Sequence, residues 1–416
     1  MKSNKWKFLL TGVATLTLLT ACTQTSSQSS TTSNTAKKTA TSTSNSKTDS
    51  SNYFTDKDYD TSYDESTAST VKLSGSSATV SGDGVAVSGS TVTISKAGTY
   101  VISGKSDGAQ IKVEAGDSDD VHIFLKGVTM TNTNAPISAT KAGHVYLTLA
   151  DGTTNTLSDS SSNSDEDADA VIFSKGDLTI NGSGTLNIDA KKNNGIKAND
   201  ALHITGGTYK ITAVGDAFNV NDELNITGTT MTIDADEDAV KVDNDEDTSV
   251  GTMYLSDNTM TISAGDDGIH ASGDLVIDSG TYKVSESAEG LEGKSITING
   301  GDITIYATDD GVNAANANAN QDEIFFTMNG GTLNVEVGQG DTDPIDSNGN
   351  VTVTGGTINL TGQSGFDFDG TATYTGGDIY INGEKQTEIV NSMPGGGGAP
   401  GSGGPQGGRP GGPSGR

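Results

Sequence analysis

Arginine is almost absent from this chain, because Arg409 and Arg416 are its two arginines and both lie at the C-terminal end. Acidic residues number 54 against 24 basic ones, and the formal net charge is −30 at pH 7. Nucleic acids bind to basic surfaces that neutralise their phosphates. The charge balance therefore excludes nucleic acid as a partner.

Cysteine, tryptophan and proline are also scarce. Cys22 is the only cysteine, which excludes an intramolecular disulfide and a cysteine-based metal cluster. Trp6, the only tryptophan, lies in the N-terminal segment, so the rest of the chain cannot offer stacked indoles to a sugar. The 55 glycines against 7 prolines indicate a chain with many tight turns.

Residues 1–21 are expected to be a lipoprotein signal peptide. A charged start (Lys2, Lys5 and Lys7) precedes the apolar stretch 8–20, which is too short to span a bilayer. Leu19-Thr20-Ala21-Cys22 then has the form of a bacterial lipobox, although an ordinary signal peptide before an incidental cysteine is the alternative. We expect a lipid on Cys22 to hold the protein at the extracellular face of the bacterial cell membrane, as its only membrane contact.

Composition divides the remaining chain into three parts. Residues 22–68 are rich in Ser, Thr and Asn, and residues 391–416 are rich in Gly and Pro, so neither segment can bury a core. We expect a disordered linker and a disordered tail around one folded domain, residues 69–390. The protein is expected to be a monomer.

One element recurs through the folded part: an acidic or amide residue, a small residue, then an aliphatic or aromatic one. Successive copies begin 21, 22, 25, 29 or 33 residues apart, which indicates a basic period near 22 with insertions. The first residues of the copies are Asp169, Asn194, Asp216, Asp238, Asp267, Glu289, Asp310, Asp343 and Ser364.

Each period holds three short strands in which apolar and polar residues alternate, separated by Gly, Asn and Asp. Such strands are too short for useful hairpins, but they suit one turn of a solenoid whose apolar residues stack on their equivalents one rung away. The sequence therefore predicts an all-β fold, a three-faced parallel β-helix of about eleven rungs, with the first rung near Gln110. Right-handedness is expected from the general crossover preference.

In a solenoid, residues one period apart lie above one another, so the recurring acidic residues form a first column. A second column follows three residues later, and its expected members are Ile172, Lys197, Asn219, Lys241, His270, Glu292, Asn313, Asp346 and Asp367. Stacked carboxylates repel one another by roughly 1 kcal/mol in water and by more inside a protein. Something must offset that repulsion.

Two explanations for how the repulsion between the carboxylates is offset remain open. Asp-Gly and Asn-Gly are ordinary turn formers that water can solvate. The other explanation is Ca²⁺, which prefers six to eight oxygen ligands. The expected calcium ligands are Asp216, Asp236, Asp238, Asp266, Asp267, Asp309, Asp310 and Asp343. His203 and His270 are expected to face solvent on strands rather than to bind metal.

Three stretches of the chain resemble a known family: DGTTNTLSD (151–159), SDEDADAVIFSKGDLTINGSGTL (164–186) and EGLEGKSITINGGDITIYATDDGVNAA (289–315). They are similar to the bacterial carbohydrate-binding β-helix domains that share the shape of pectate lyases. The resemblance implies a right-handed parallel β-helix, bound calcium, and affinity for plant or cell-wall polysaccharide without turnover.

The expected function is therefore non-catalytic binding of a polysaccharide, acidic or from a cell wall. The expected contacts with the sugar come from the second column: Lys197, Asn219, Lys241, His270, Glu292 and Asn313. Tyr209 and Tyr282 could stack on sugars, but their strand positions favour the core. The alternatives are a polysaccharide lyase of the pectate-lyase type, which needs a base with a lowered pKa, and a surface adhesin or scaffold with a protein partner.

Overall fold

The structure, a computed structural model, describes residues 52–392 except 245, 246, 248 and 341. The signal peptide, Cys22, most of the linker and the tail from residue 393 lie outside the described residues. Among the described residues, no helix is long and apolar enough to cross a membrane. The lipid anchor and its location stay predictions.

Three parallel ladders of short strands form the domain, and each strand pairs with its equivalent in the next rung. Sheet A follows the recurring acidic turn. Its strands are β4 (Thr91–Ile94), β6 (Gln110–Glu114), β8 (Ile137–Lys141), β11 (Ala170–Ser174), β14 (Asn194–Ala198), β17 (Phe218–Val220), β20 (Val240–Val242), the first parts of β23 (Ile269–Ile277) and β25 (Leu291–Ile298), β27 (Val312–Ala314), β30 (Ile345–Ser347) and β33 (Phe366–Phe368).

Sheet B follows sheet A in each rung. Its strands are β1 (Ser69–Gly75), the first parts of β5 (Gly98–Asp107) and β7 (Asp120–Thr131), β9 (His144–Leu149), β12 (Leu178–Gly182), β15 (Ala201–Thr205), β18 (Glu223–Thr227), β21 (Thr252–Ser256), the second parts of β23 and β25, β28 (Phe325–Met328), β31 (Asn350–Val353) and β34 (Ala372–Tyr374).

Sheet C closes each rung. Its strands are the second parts of β5 and β7, β10 (Thr154–Ser158), β13 (Thr185–Ala190), β16 (Thr208–Ala213), β19 (Thr230–Ala235), β22 (Asn258–Ala264), β24 (Gly280–Val284), β26 (Asp302–Ala307), β29 (Thr332–Val337), β32 (Thr357–Thr361) and β35 (Asp378–Ile381). Antiparallel strands β2 (Ser77–Ser81), β3 (Val85–Ser88) and β36 (Glu384–Lys385) pair with β1, β4 and β35.

The three-faced parallel β-helix is confirmed, and it begins one rung earlier than expected. β4 pairs with β6 from Thr91↔Gln110 to Ile94↔Val113, so Gln110 belongs to the second rung of sheet A. The expected alternation holds: Leu202 and Ile204 are fully buried, and they pair in register with Leu224 and Ile226 of the next rung. Apolar burial of this kind, about 25 cal/mol per Å², is the main stabilising contribution.

Glycine is required at the corner between sheets B and C. Gly331 has a φ of +79°, and a Cβ atom there would lie 2.4 Å from the carbonyl oxygen of Gly301 in the previous rung. A side chain would therefore clash with the neighbouring backbone as well as strain its own. The Gly-Gly pairs of the sequence mark this corner.

Two insertions leave the coil at the corner between sheets A and B. One follows β20, where the Asn244 amide donates to Ser272 Oγ at 3.0 Å. The other follows β27, where Asn316 Nδ2 donates to the Ser272 carbonyl at 2.8 Å. Both insertions therefore lie beside the same part of the coil.

The last part of the expected linker is ordered, which differs from the boundary at residue 68. We call residues 53–66 the strap. It contains the 3₁₀ helix Asp56–Tyr59, and it lies on the outer face of sheet B, where Phe54 and Asp58 are buried. Composition averaged over residues 22–68 concealed this segment, because its aromatic residues are clustered at one end.

Candidate functional site

The first column forms a ladder of hydrogen bonds that links successive rungs. Asp216 Oδ1 accepts from the Asp238 amide at 3.0 Å, and Asp238 Oδ1 accepts from the Asp267 amide at 2.8 Å. Asp310 Oδ1 accepts from the Asp343 amide at 2.7 Å. One oxygen of each carboxylate is thus used to hold the next turn of the coil.

The second column supplies partners for the remaining oxygens of the first. Lys241 Nζ lies 2.7 Å from Asp238 Oδ2, and Asn219 Nδ2 donates to Asp216 Oδ2 at 2.5 Å. Similar contacts join Lys197 to Asp169, His270 to Asp267 and to Glu292, and Asn313 to Glu289. Most of the expected sugar-binding groups are therefore engaged with the acidic column, and their role in sugar binding stays a prediction.

The expected membership of the second column is wrong at its start. Phe173, not Ile172, pairs with Lys197, because the register places Ala170 rather than Asp169 opposite Asn194. Ile172 is a core residue that is 1% exposed. The extra residue lies in the loop before β11, where spacing alone does not show it.

The expected calcium ligands separate into buried and exposed groups. Asp216, Asp238 and Asp267 are buried within the ladder. Asp310 and Asp343 are half-buried, and the exposed members, which lie at the corner between sheets C and A, are Asp236, Asp266 and Asp309. The structure therefore does not bring all eight carboxylates together.

Charge is nearly balanced in the half of the columns before Glu289 and unbalanced in the half from Glu289 onward. Lys197, Lys241 and His270 lie in the N-terminal half, whereas the described column residues from Glu289 onward include no lysine, arginine or histidine. Burial, and then the charge of Glu292, raise the pKa of Glu289 to about 8. Burial, followed by Asp310, Asp367 and Asp343, raises the pKa of Asp346 to about 7.

Oxygen ligands are available in the unbalanced half. Asn313 Nδ2 donates to both carboxylate oxygens of Glu289, at 3.1 and 3.0 Å, while the buried Asn313 Oδ1 has no hydrogen-bond partner. Asn313 pairs in register with Asp346 of the next rung. Asp310 lies in the same rung as Asn313, and Asp343 and Asp346 lie in the next one. Amide and carboxylate oxygens are the ligands that a hard cation such as Ca²⁺ prefers.

A second group of carboxylates lies around a positively charged side chain, His270. Single ligand atoms of Asp267, Glu289 and Glu292 lie within 4.8 Å of one another. His270 contacts both Asp267 and Glu292. Although burial opposes protonation, these carboxylates raise the pKa of His270 to about 10, so its imidazolium already supplies positive charge there.

Sheet C presents a different polar surface, which no motif of the sequence indicated. A groove of ≈ 400 Å³ crosses the outer faces of β24, β26, β29 and β32. Tyr306 is 40% exposed in this groove. Lys283, Thr304, Asn334, Glu336 and Asn359 also line it, and Asn359 Nδ2 donates to Asn334 Oδ1 at 2.8 Å.

The tyrosines that the sequence suggested for stacking are core residues. Tyr209 and Tyr282 are 1% and 0% exposed, and their hydroxyls donate to the carbonyls of Gly206 and Ser279. Tyr306 occupies the opposite phase of its strand, since Ile303, Ile305 and Ala307 face inward. The alternation of β26 was the signal that could have identified it.

The fold and the polar columns define a parallel β-helix whose rungs are joined by acidic side chains. The chain belongs to the family of carbohydrate-binding domain-containing proteins, whose model matches residues 88–347 and 268–394.

Two similar proteins illustrate the relationship. A carbohydrate-binding domain-containing protein of Acetivibrio thermocellus is 36% identical over 125 residues, which cover 29% of this chain and 44% of that protein. This chain thus matches less than half the length of that relative. A polysaccharide lyase-like protein from C. thermocellum, solved as a gadolinium derivative, is similar with a TM-score of 0.44 and 23% identity over 79% of this chain and 98% of its own.

Proposed function

We propose that this protein binds polysaccharide without cleaving it, and that the groove around Tyr306 on sheet C is the binding surface. The observation that carries the proposal is an exposed aromatic ring beside hydrogen-bonding side chains on a surface built from rigid strands. A sugar ring offers an apolar face and polar edges, which suit Tyr306 and the neighbouring Asn334 and Asn359. Family membership supports the same conclusion.

The ionisation of Lys241 argues against catalysis of the lyase type. Burial favours the neutral amine of Lys241, but the hydrogen bond and charge of Asp238 outweigh it and raise the pKa of Lys241. A base that takes a proton from a uronate needs a lowered pKa. Lys241 is therefore unsuited to that role, and the family description names binding rather than an activity.

Calcium is proposed for the unbalanced half of the columns on sheet A. Asp310, Asp343 and Asp346 would hold it together with Asn313 Oδ1, whose lack of a hydrogen-bond donor a cation would satisfy. Bound Ca²⁺ would neutralise the stacked carboxylates and could attract carboxylates of an acidic sugar.

The proposed location is the extracellular face of a bacterial membrane. A lipid on Cys22 would anchor the chain, and residues 23–51 would connect the anchor to the strap.

Binding to insoluble and acidic glycans, measured with and without a chelator, tests the function. Replacing Tyr306 with Ala should weaken binding roughly two- to twelvefold, since aromatic contacts contribute about 0.5–1.5 kcal/mol. Tyr306→Phe keeps the ring and should retain most of the affinity, and Val214→Ala, which trims an exposed side chain elsewhere, should change nothing. Unchanged binding by Tyr306→Ala would contradict the site, and release of unsaturated products would contradict the non-catalytic function.

A further inference from the structure

The outer face of sheet B carries a groove that the strap fills from β21 to β7. Four strap side chains are turned toward the sheet at intervals: Tyr53, Phe54, Asp58 and Tyr63. The strap therefore crosses successive rungs, along the axis of the coil. A polymer that lies in this groove would follow the same direction.

Side chains of the groove bind the main chain of the strap. Asn181 Nδ2 donates to the carbonyls of Asp58 and Asp60, both at 3.1 Å. Thr205 Oγ1 donates to the Asp58 carbonyl at 2.5 Å, and Asn225 Nδ2 donates to the Tyr53 carbonyl at 3.0 Å. In these four bonds the groove supplies the donors and its occupant supplies only oxygen acceptors. Such contacts do not require a peptide.

The groove also contains a binding site for a carboxylate. Asp58 is 2% exposed, and its Oδ1 accepts from Thr179 Oγ1 at 2.6 Å. His203 Nδ1 lies 3.3 Å from the same oxygen, an ion-pair contact without hydrogen-bond geometry, while His203 Nε2 contacts Glu223 at 2.9 Å. Burial opposes the imidazolium, but Asp58 and Glu223 raise the pKa of His203 to about 9, so His203 is positively charged at neutral pH while Asp58 is docked.

Aromatic rings lie on both sides of this carboxylate site. The rings of Tyr53 and Tyr254 stack with centroids 3.7 Å apart and an interplanar angle of 8°, and the Tyr254 hydroxyl donates to Asp278 Oδ2 at 2.9 Å. At the other end, Tyr63 packs on Phe124 with centroids 4.4 Å apart. Between them Tyr146 stacks with His122 and His144. The groove thus offers flat apolar faces at more than one rung.

We propose that the sheet B groove is a binding site for an acidic glycan, and that the strap occupies it as an internal substitute for that ligand. A uronate carboxylate would take the place of the Asp58 carboxylate on His203 and Thr179. Sugar rings would stack on Tyr254, and sugar oxygens would accept from Asn181, Thr205 and Asn225. The proposal goes beyond the function proposed above, because this site uses neither Tyr306 nor a metal ion.

The covalent link makes the strap a strong competitor. A tethered segment acts at an effective concentration in the millimolar range. In the wild-type protein, a free glycan therefore has to compete with the docked strap for the groove. Weakening the strap without touching the groove should therefore expose the site.

The test uses the full chain with the substitutions Tyr53→Ser, Phe54→Ser and Asp58→Asn, and a short oligogalacturonate as the probe in the presence of a chelator. Affinity should rise about tenfold or more over the wild type. A neutral galactose oligomer of the same length should show no such gain. Asp64→Asn, whose carboxylate accepts from the amide and hydroxyl of Ser66 within the strap, is the matched control and should bind like the wild type. Adding His203→Gln to the released variant should remove the gain.

Limited proteolysis shows whether the strap is released, and circular dichroism shows whether the β-helix is intact. A folded variant with a protease-sensitive strap that binds oligogalacturonate no better than the wild type overturns the proposal. If the triple variant does not fold, protease cleavage of the strap in the wild-type protein tests the proposal instead. Saturating oligogalacturonate, but not the neutral oligomer, should then accelerate cleavage of the strap, and unchanged cleavage overturns the proposal. Loss of binding by Tyr306→Ala affects only the sheet C site, so the two proposals can fail separately.

Discussion

At the scale of single residues, each buried aspartate of the first column serves two neighbours at once. Asp238 illustrates this: one oxygen accepts the amide of the next rung, and the other holds Lys241. Repulsion between stacked carboxylates is thereby offset by hydrogen bonds and by cations from the second column. Turn chemistry, the alternative weighed from the sequence, does not describe these contacts between rungs.

Removing the Asp238 carboxylate should therefore be costly. Asp238→Ala leaves Lys241 and the Asp267 amide without their partner, and we expect it to lower the free energy of unfolding by about 3–5 kcal/mol. Asp238→Asn keeps an oxygen that can accept from Asp267 and should cost less. Urea unfolding of both variants checks this, and equal losses would argue that the ladder bond contributes nothing.

The ion pair between Asp58 and His203 should make docking of the strap depend on pH. The pKa of folded His203, about 9, lies above its ordinary value of 6.5. Its contribution is therefore complete below about pH 6.5 and is lost as the pH rises through about 9. Protease cleavage of the strap, at matched protease activity, should increase over that range. His203→Gln should abolish this dependence, and cleavage that rises equally in the variant would refute the assignment.

At the scale of elements, the corner between sheets B and C depends on glycine for two separate reasons. Gly331 lies at this corner, whereas Gly89 lies in the turn between β3 and β4. Both have positive φ, +79° and +62°, but only at Gly331 would a Cβ meet the backbone of another rung. Alanine at either position strains the chain by about 1 kcal/mol. The clash with the Gly301 carbonyl oxygen is added only in the substitution at position 331.

Gly331→Ala should therefore lower the melting temperature of the domain more than Gly89→Ala does. The difference reports the contact with Gly301, because the backbone strain is similar in the two variants. Thermal unfolding followed by circular dichroism measures it. Similar melting temperatures would mean that the rungs separate easily at this corner.

The elements also explain which site residues could be predicted. The period placed Asp216, Asp238 and Asp267 in one column, because every rung repeats the same corner. The period could not show that Asp236 and Asp266 turn away from the column, since both groups belong to the same acidic turns. Their separation depends on the backbone path through each turn.

At the scale of the whole molecule, the chain carries a net charge of −30, and positive side chains are distributed unevenly along the two columns. From Glu289 onward, the described residues of the two columns include carboxylates but no basic side chain. Burial and the neighbouring carboxylates raise the pKa of Asp346 to about 7. We therefore expect Ca²⁺ to stabilise the chelated protein, by about 2.7 kcal/mol at a hundredfold excess over its Kd.

The substitution Asp346→Asn distinguishes stabilisation by a bound Ca²⁺ ion from general screening of the negative charge by added salt. Removing the charge should raise the melting temperature of the calcium-free protein, because it relieves repulsion, and should reduce the increment that Ca²⁺ adds. Asp302→Asn, which removes an exposed carboxylate on sheet C, should change neither quantity. An undiminished calcium response in Asp346→Asn would exclude Asp346 as a ligand.

The sequence by itself determined the class of fold and the identity of the first column. A period near 22 residues, with strands of alternating polarity, leaves few arrangements other than a coil that buries one face of each strand. Because the same pattern repeats in every rung, the register and the stacking of Ile and Leu follow from local information.

The tertiary structure alone decided what lies on the three outer faces. The strap reaches His203 and Asn181 across more than a hundred residues of sequence, and no local pattern reports such a contact. The alternation within a strand shows which side chains face outward. It does not show whether an outward side chain is exposed, as Tyr306 is, or paired with a neighbour, as Lys241 is. Burial shapes the sequence of the core strongly, whereas surface contacts depend on where distant segments come to lie.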